Sequence, residues 1–357
     1  MSEFRIDQIK SQDASRGPDV AGITTFTGTS GIVMPSGITE YRGGRGGRGL
    51  IMGGFDYPTH INVIQKIELS TLGNAQDFGD LTIDKYAGAS FSSSTRGLYV
   101  SGRREASPLP DIRTDVDAVI LSSGGGSFDF GELSSAVKGD SMIGLSNNVR
   151  GVFGGGILSP SPAPANKSGL NYITIATNGS STSFGDLLEA VRSSGTASSP
   201  TRGLFGGGNG NGPLLINTIQ FITISSTGNT SDFGDMTLAL RAASGASSNV
   251  RAVFAGGYNA SPIAYNQGSD QINYVTITSA GNAIDFGNLA ANCKAFNTSV
   301  SNSTRGAFGG GPNDPAQTNN LSYITIATLG NATDFGDLIN PVISSSMNVG
   351  DSHGGIG

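Results

Sequence analysis

A unit of about fifty residues recurs six times along the chain, and it restricts the fold more than any other feature. In its fullest form it reads Arg-Gly-Val/Leu-Phe-Gly-Gly-Gly, a polar loop, Asn-Tyr-Ile-Thr-Ile-Ala-Thr, a Gly-Asn turn, then Asp-Phe-Gly-Asp-Leu. One residue series consists of Arg48, Arg96, Arg150, Arg202, Arg251 and Arg305. A second consists of Phe78, Phe130, Phe184, Phe233, Phe286 and Phe335, separated by 52, 54, 49, 53 and 49 residues. The two series keep step, so the variation in length belongs to loops. A period of this size describes small modules that pack side by side, not one continuous core.

Each unit reads as four short strands. In NYITIAT (171–177), Tyr172, Thr174 and Ala176 point one way while Ile173 and Ile175 point the other. RGLFGGG (202–208) is a strand ending in glycines, and SSGTASS (193–199) supplies a weaker one. Gly-Asn pairs at 73–74, 228–229 and 330–331 permit the positive φ of a tight hairpin, after which the Asp-Phe-Gly strand runs back antiparallel. Four strands per unit make one propeller blade. The expected fold is therefore an all-β propeller of six four-stranded blades, with almost no helix. A seventh blade, split between residues 20–40 and 340–357, is the alternative.

The motif phenylalanines are expected to wedge between adjacent sheets. Each arginine is expected to hydrogen-bond to carbonyls or to a motif acid of the neighbouring blade, a role its planar five-donor fork suits. Repetition itself argues for this structural role, since a ligand site seldom needs six copies. The paired acids, such as Asp232 and Asp235, read as turn caps. No dense D-x-D-x-D cluster supports calcium.

Composition removes several function classes. Gly contributes 55 of 357 residues, only 13% are charged, and the net charge is −6, which disfavours a generic nucleic-acid surface. The single cysteine, Cys293, forbids an internal disulfide framework. No apolar run has the length of a membrane span, and MSEFRIDQIK lacks the apolar stretch of a signal peptide. His60 and His353 are too few for a multi-histidine zinc site. The triple glycines lack the Gly-Lys-Ser/Thr of a phosphate loop, Asp-Phe-Gly has no kinase catalytic loop beside it, and there is no G-x-S-x-G elbow. No metal, no cofactor and no catalysis are expected.

Recognition is expected where the repeat breaks. The second unit reads GLYVSGRRE and crowds charge into 101–118, with Arg103, Arg104 and Asp115 among it. This segment is either a contact patch or a drifted exposed loop. The loops at 157–170, 209–218, 258–271 and 312–321 also vary, and loops held by a rigid scaffold are the usual place for recognition. Tyr258, Tyr265 and Asn266 are candidates to stack against and hydrogen-bond a sugar; the competing reading is a solvated spacer. Residues 1–40 lack the unit and read as an arm or adaptor that reaches another subunit. The Gly/Arg-rich 41–47 reads as a hinge, 48–340 as the propeller, and 341–357 as a segment able to complete a blade and close the ring.

The glycine-ended strand RGLFGGG (202–208) and the following Asn-Tyr-Ile-Thr-Ile (171–175 in its own unit) resemble kelch-type propeller repeats, with Phe233 and its equivalents in place of that family's usual Trp. The fuller wording TRG-x-FGGG, YITIAT and NATDFGDL, over about residues 48–338, is similar to repeat proteins of tailed bacteriophages of aquatic bacteria, cyanophages among them. The opening MSEFRIDQIK and TFTGTSGIVMPSG (25–37) also resemble the start of phage virion proteins. The resemblance implies a non-enzymatic tail- or capsid-associated virion component. Its arm would anchor it to other virion proteins as an oligomer, and its propeller would contact protein neighbours and the host surface. A carbohydrate-binding, lectin-like propeller that recognises a cell-surface glycan is the alternative.

Overall fold

The computed structural model describes residues 47–350, apart from 57, 105–110, 159–164, 212–213, 260–267, 291–297, 314–315 and 343–346. The expectations for the arm at 1–40 and for all but the last residue of the 41–47 hinge lie outside the described residues. The described chain is all-β, with six four-stranded antiparallel sheets. Blades 2 to 6 each run from the axis outward in sequence order. Blade 4, for example, comprises Gly195–Ser198, Arg202–Asn209, Leu215–Thr223 and Ser231–Asp235. The innermost strands of the other four are Ala89–Ser92, Ile143–Ser146, Ser244–Ser247 and Thr298–Ser301. Blade 1 takes its second to fourth strands from Arg48–Asp56, Thr59–Glu68 and Gln76–Asp80. Its innermost strand is Met347–Gly350, which pairs antiparallel with Gly49–Met52. The innermost strands contact one another in a closed circle. The architecture is thus a six-bladed, kelch-like propeller in which the C-terminal strand completes the first blade, and no seventh four-stranded sheet forms among the described residues.

The Asp-Phe-Gly motif has a mechanical meaning at each letter. The pairing of the third and fourth strands slips by one residue at the same place in every blade, as between Ile219–Gly234 and Gln220–Asp232, which leaves Phe233 as the extra residue of a β-bulge. The bulge turns the ring inward: the six motif phenylalanines are between 2% and 7% exposed. Asp232 Oδ1 accepts from the Gly234 amide at 3.1 Å, and Asp77 and Asp129 do the same in their blades. Gly234 then takes φ 143°, which a side chain would resist.

Six apolar clusters hold the ring, each made of residues from two adjacent blades. Phe233 lies in the cluster joining blades 4 and 5, with Leu204, Phe254 and Val275. Fully burying a ring of this kind contributes roughly 1.5–3 kcal/mol by transfer alone. Polar bonds reinforce the seams. The Gly-Asn hairpin of one blade docks on the bulged strand of the blade before it: Gly281 and Ala283 amides donate to the Phe233 and Asp235 carbonyls, both at 2.7 Å. The Asn282 side chain returns the favour by accepting from the Asp235 amide at 3.0 Å. Asn74, Asn229 and Asn331 repeat the contact at other seams. Each motif arginine stretches to the next blade, where Nη1 donates to the carbonyl of Leu121, Ile175, Ile224, Ile277, Ile326 or Leu69. On the way the guanidinium lies over a third-strand ring of its own blade in four cases, such as Arg150 over Tyr172 at 4.2 Å. Arg96 lies over Phe130 instead.

Candidate functional site

Strand alternation sorts the connections onto two faces. The short first-to-second turns and the third-to-fourth hairpins share one face. The long second-to-third loops and the connectors between blades share the other, and the variable sequence therefore collects on that loop face.

The inner ends of the connectors follow one backbone plan. Tyr86, Asp140, Arg192 and Arg241 each form an antiparallel bridge with a residue at or just past the end of the glycine strand of the next blade, respectively Arg103, Ile157, Asn209 and Tyr258. The following residue, Ala87, Ser141, Ser193 or Ala242, takes φ between 54° and 57°. Neighbouring connectors are linked by peptide hydrogen bonds from Ser141 to Ala87, Ser193 to Ser141 and Ala242 to Ser193, at 2.6, 3.1 and 2.7 Å. This chain of bonds curves around the axis, so the bridge residues line an arc of its mouth. Four equivalent backbone sites therefore carry four positions of different chemistry: an aromatic phenol, a carboxylate and two guanidiniums.

Around the arc the side chains interlock. Tyr86 stacks on His60 with centroids 4.9 Å apart, and His60 in turn lies 4.8 Å from Phe55. Arg103 lies over the Tyr86 ring and 3.5 Å from Asp140. Burial raises the Asp140 carboxyl above its usual value, opposed by the Ser141 hydroxyl and Arg103. Beyond it, Arg192 Nη1 donates to Asn166 Oδ1 at 3.1 Å. The Asn209 amide is assigned with its oxygen toward the arginines. In that orientation it accepts from Arg192 Nη2 and Arg241 Nη1, both at 3.2 Å, while its nitrogen donates to the Gly210 and Leu214 carbonyls. Burial and the neighbouring Arg192 charge both lower the Arg241 pKa.

The residues singled out in the sequence are placed differently. Tyr258 is fully buried, so its ring is not free to stack on a sugar; it serves as a bridge partner for the Arg241 backbone. Tyr265 and Asn266 lie outside the described residues. Among the described residues of 101–118 the charges are largely spent within the molecule. Asp115 faces inward and holds the fully buried Lys85, whose Nζ also lies 2.7 Å from Asp117. Arg113 bridges Asp115 and Asp111 at 2.8 and 2.7 Å. Burial would raise the Asp115 carboxyl, but Lys85 and Arg113 outweigh it and hold it below its usual value. Arg104 is the more exposed of the two arginines and pairs with Asp84.

Asp117 has a counterpart in other blades. Gln220 and Asn273 occupy the same third-strand position, and their side-chain oxygens accept from the amides of Glu189 and Thr237 in the preceding connector. Gln65 does so for Ile339 and Asn340. Sequence reasoning missed Lys85, Tyr86, Asp140, Arg192 and Arg241. For the last four the signal was available as the residue three places before each serine-rich strand, where the repeat is poorest, and Lys85 lies one place before Tyr86. Among the described residues no group of three or more His, Cys, Asp and Glu is placed to hold a metal.

No protein-family model matches the chain, and no curated protein matches it. Its architecture is similar to the solved structure of YjhT, a bacterial protein, with a TM-score of 0.61 at 11% identity over 77% of this chain and 94% of that one. At this identity the likeness shows the propeller fold alone. The expectation of a phage virion component with tail or capsid association is corrected on this point: the match is to a non-viral protein, and what it supports is the propeller without the virion assignment.

Proposed function

We propose that this protein is a carbohydrate-binding propeller that takes its ligand at the mouth of the axis on the loop face, without turning it over. One observation carries the reading: at four equivalent backbone sites the scaffold is constant while the side chains are Tyr86, Asp140, Arg192 and Arg241. Sugars present hydroxyls in fixed pairs and apolar ring faces. Planar forks such as guanidinium, carboxylate and amide answer the first, and the apolar carbon surface of an aromatic ring such as Tyr86, beside its hydroxyl, answers the second. Binding rather than hydrolysis is favoured because Asp140 is the single carboxylate at these four sites, whereas glycoside hydrolysis uses two across a cleft.

A glycan array probed with the full chain tests this, followed by calorimetry on the best ligand. The expected result is selective binding that falls at least tenfold in Tyr86→Ala with the unfolding midpoint retained. Uniform background across the array, or binding indifferent to every substitution at the mouth, would remove the reading.

A further inference from the structure

We infer that the Arg192–Asn209–Arg241 group is an oxyanion subsite, and that the saccharide recognised is an acidic one carrying a carboxylate or sulfate ester. This rests on the carbohydrate reading for the identity of the ligand, but not for the existence of the anion site.

The argument begins with unused donors. A guanidinium has five N–H groups. Among the described residues Arg192 uses one on Asn166 and one on Asn209, and Arg241 uses one on Asn209. Arg241 Nε is buried and has no hydrogen-bond partner there. Neither arginine forms an ion pair with a carboxylate among the described residues, in contrast to Arg48, Arg103, Arg104 and Arg113, each of which does. Two guanidiniums that share one acceptor oxygen stand side by side and repel each other. The fold nonetheless fixes both, each by its own backbone bridge, and clamps the shared acceptor from behind through the Gly210 and Leu214 carbonyls.

The contrast with the seam arginines sharpens the point. Arg202 and Arg251, ten residues or fewer from this pair in sequence, spend their Nη1 groups on blade-to-blade carbonyls. Arg192 and Arg241 make no such seam bond and lie outside the repeated motif. Among the described bridge residues the charges are three cations, Arg103, Arg192 and Arg241, to one carboxylate, Asp140, which only Arg103 and Arg192 act upon, on a chain whose net charge is −6. A locally positive mouth on an acidic protein draws anions toward that place and away from the rest of the surface. Forked donors side by side match the two oxygens of a carboxylate or the oxygens of a sulfate ester.

Calorimetry on the full chain compares four probes: a glucuronate-terminated oligosaccharide, its methyl ester, a sulfated oligosaccharide and inorganic sulfate. The expected outcome is that an acidic saccharide binds, that added salt weakens it, and that its uncharged twin binds at least tenfold more weakly. Arg192→Gln and Arg241→Gln should each cost tenfold or more, and Arg241→Lys, which keeps the charge but not the fork, should restore only part. Preference between the glucuronate and sulfated probes identifies which oxyanion is carried. Equal binding of charged and neutral sugars, unchanged in the arginine variants, overturns the subsite and leaves the carbohydrate reading standing. Sulfate binding that is lost in the variants, with no saccharide bound, keeps the anion site and removes the carbohydrate. Silence of all four probes on folded protein overturns both.

Discussion

Arg305 in the sixth blade donates from Nη1 to the Leu69 carbonyl in the first at 2.9 Å, across 236 positions of sequence. The bond is the same one that Arg202 makes to Ile277 within the body of the ring. The closing seam is therefore built like the internal ones, and its apolar cluster likewise combines both ends, with Ile51 and Ile67 against Val300 and Phe335.

Arg305→Gln should therefore cost about 1.5–3 kcal/mol, the worth of a charge-assisted hydrogen bond, reduced by its partial exposure. Urea denaturation read by circular dichroism checks this. A midpoint equal to the parent's would mean that the bond contributes nothing to closure.

Gly234 and Gly131 share φ near 145° but differ in surroundings. A Cβ on Gly234 would collide with the Gly281 carbonyl of the next blade, while on Gly131 the nearest atom, the Gly179 carbonyl oxygen, is 3.9 Å away. Gly131→Ala is expected to cost only backbone strain, about 1–3 kcal/mol. Gly234→Ala should cost distinctly more, because it also forces a seam apart. Equal losses in parallel denaturation curves would contradict the close packing of these seams.

Phe233→Ala removes the bulged ring from the cluster between blades 4 and 5 and should cost about 3–5 kcal/mol. Phe233→Leu should cost less, since part of the volume returns. Thermal unfolding of both variants gives the ordering directly.

Among the described residues Lys85 is the cation that Asp115 and Asp117 share, and Arg113 reaches only the first. Lys85→Met leaves Asp117 without a cation and Asp115 with Arg113 alone, and should destabilise by about 3–5 kcal/mol, part of which Asp117→Asn in the same chain should recover. Asp115 has its carboxyl pKa lowered in the fold, so its contribution is present above the ordinary value of 3.8 and is lost as pH falls through the lower folded value. Asp115→Asn should flatten that acid limb of the stability profile.

Asp140 works in the opposite sense. Its carboxyl is raised by burial, so any stability it lends is present below 3.8 and is lost as pH rises through the folded value. Asp140→Asn should accordingly raise the unfolding temperature at pH 7 and leave it unchanged below pH 3.8. A lower melting temperature at pH 7 would show that the Arg103 pairing outweighs the cost of burial.

The seams were legible in sequence and the mouth was not. Arg202, Phe233 and their equivalents recur because every seam needs the same wedge and the same reach to a carbonyl, and repetition makes such residues visible. Arg192 and Arg241 are hidden for the converse reason: they occupy one backbone site in consecutive units but have Tyr86 and Asp140 as their equivalents, so no shared letter marks the position. Tyr258 misled because an aromatic in a variable loop looks exposed, whereas its backbone bridge to Arg241 draws the ring inward.

The chain's own letters determine the six repeated units, the strand order within each and the residues that join them. These depend on alternation and turn chemistry within about fifty residues, which a linear reading captures. Tertiary structure alone decided that Met347–Gly350 completes the first blade in place of a seventh sheet, and that Asp140, Arg192 and Arg241 meet around one axis. Those outcomes require residues from different units to come together, and only closure of the ring turns separation along the chain into proximity in space.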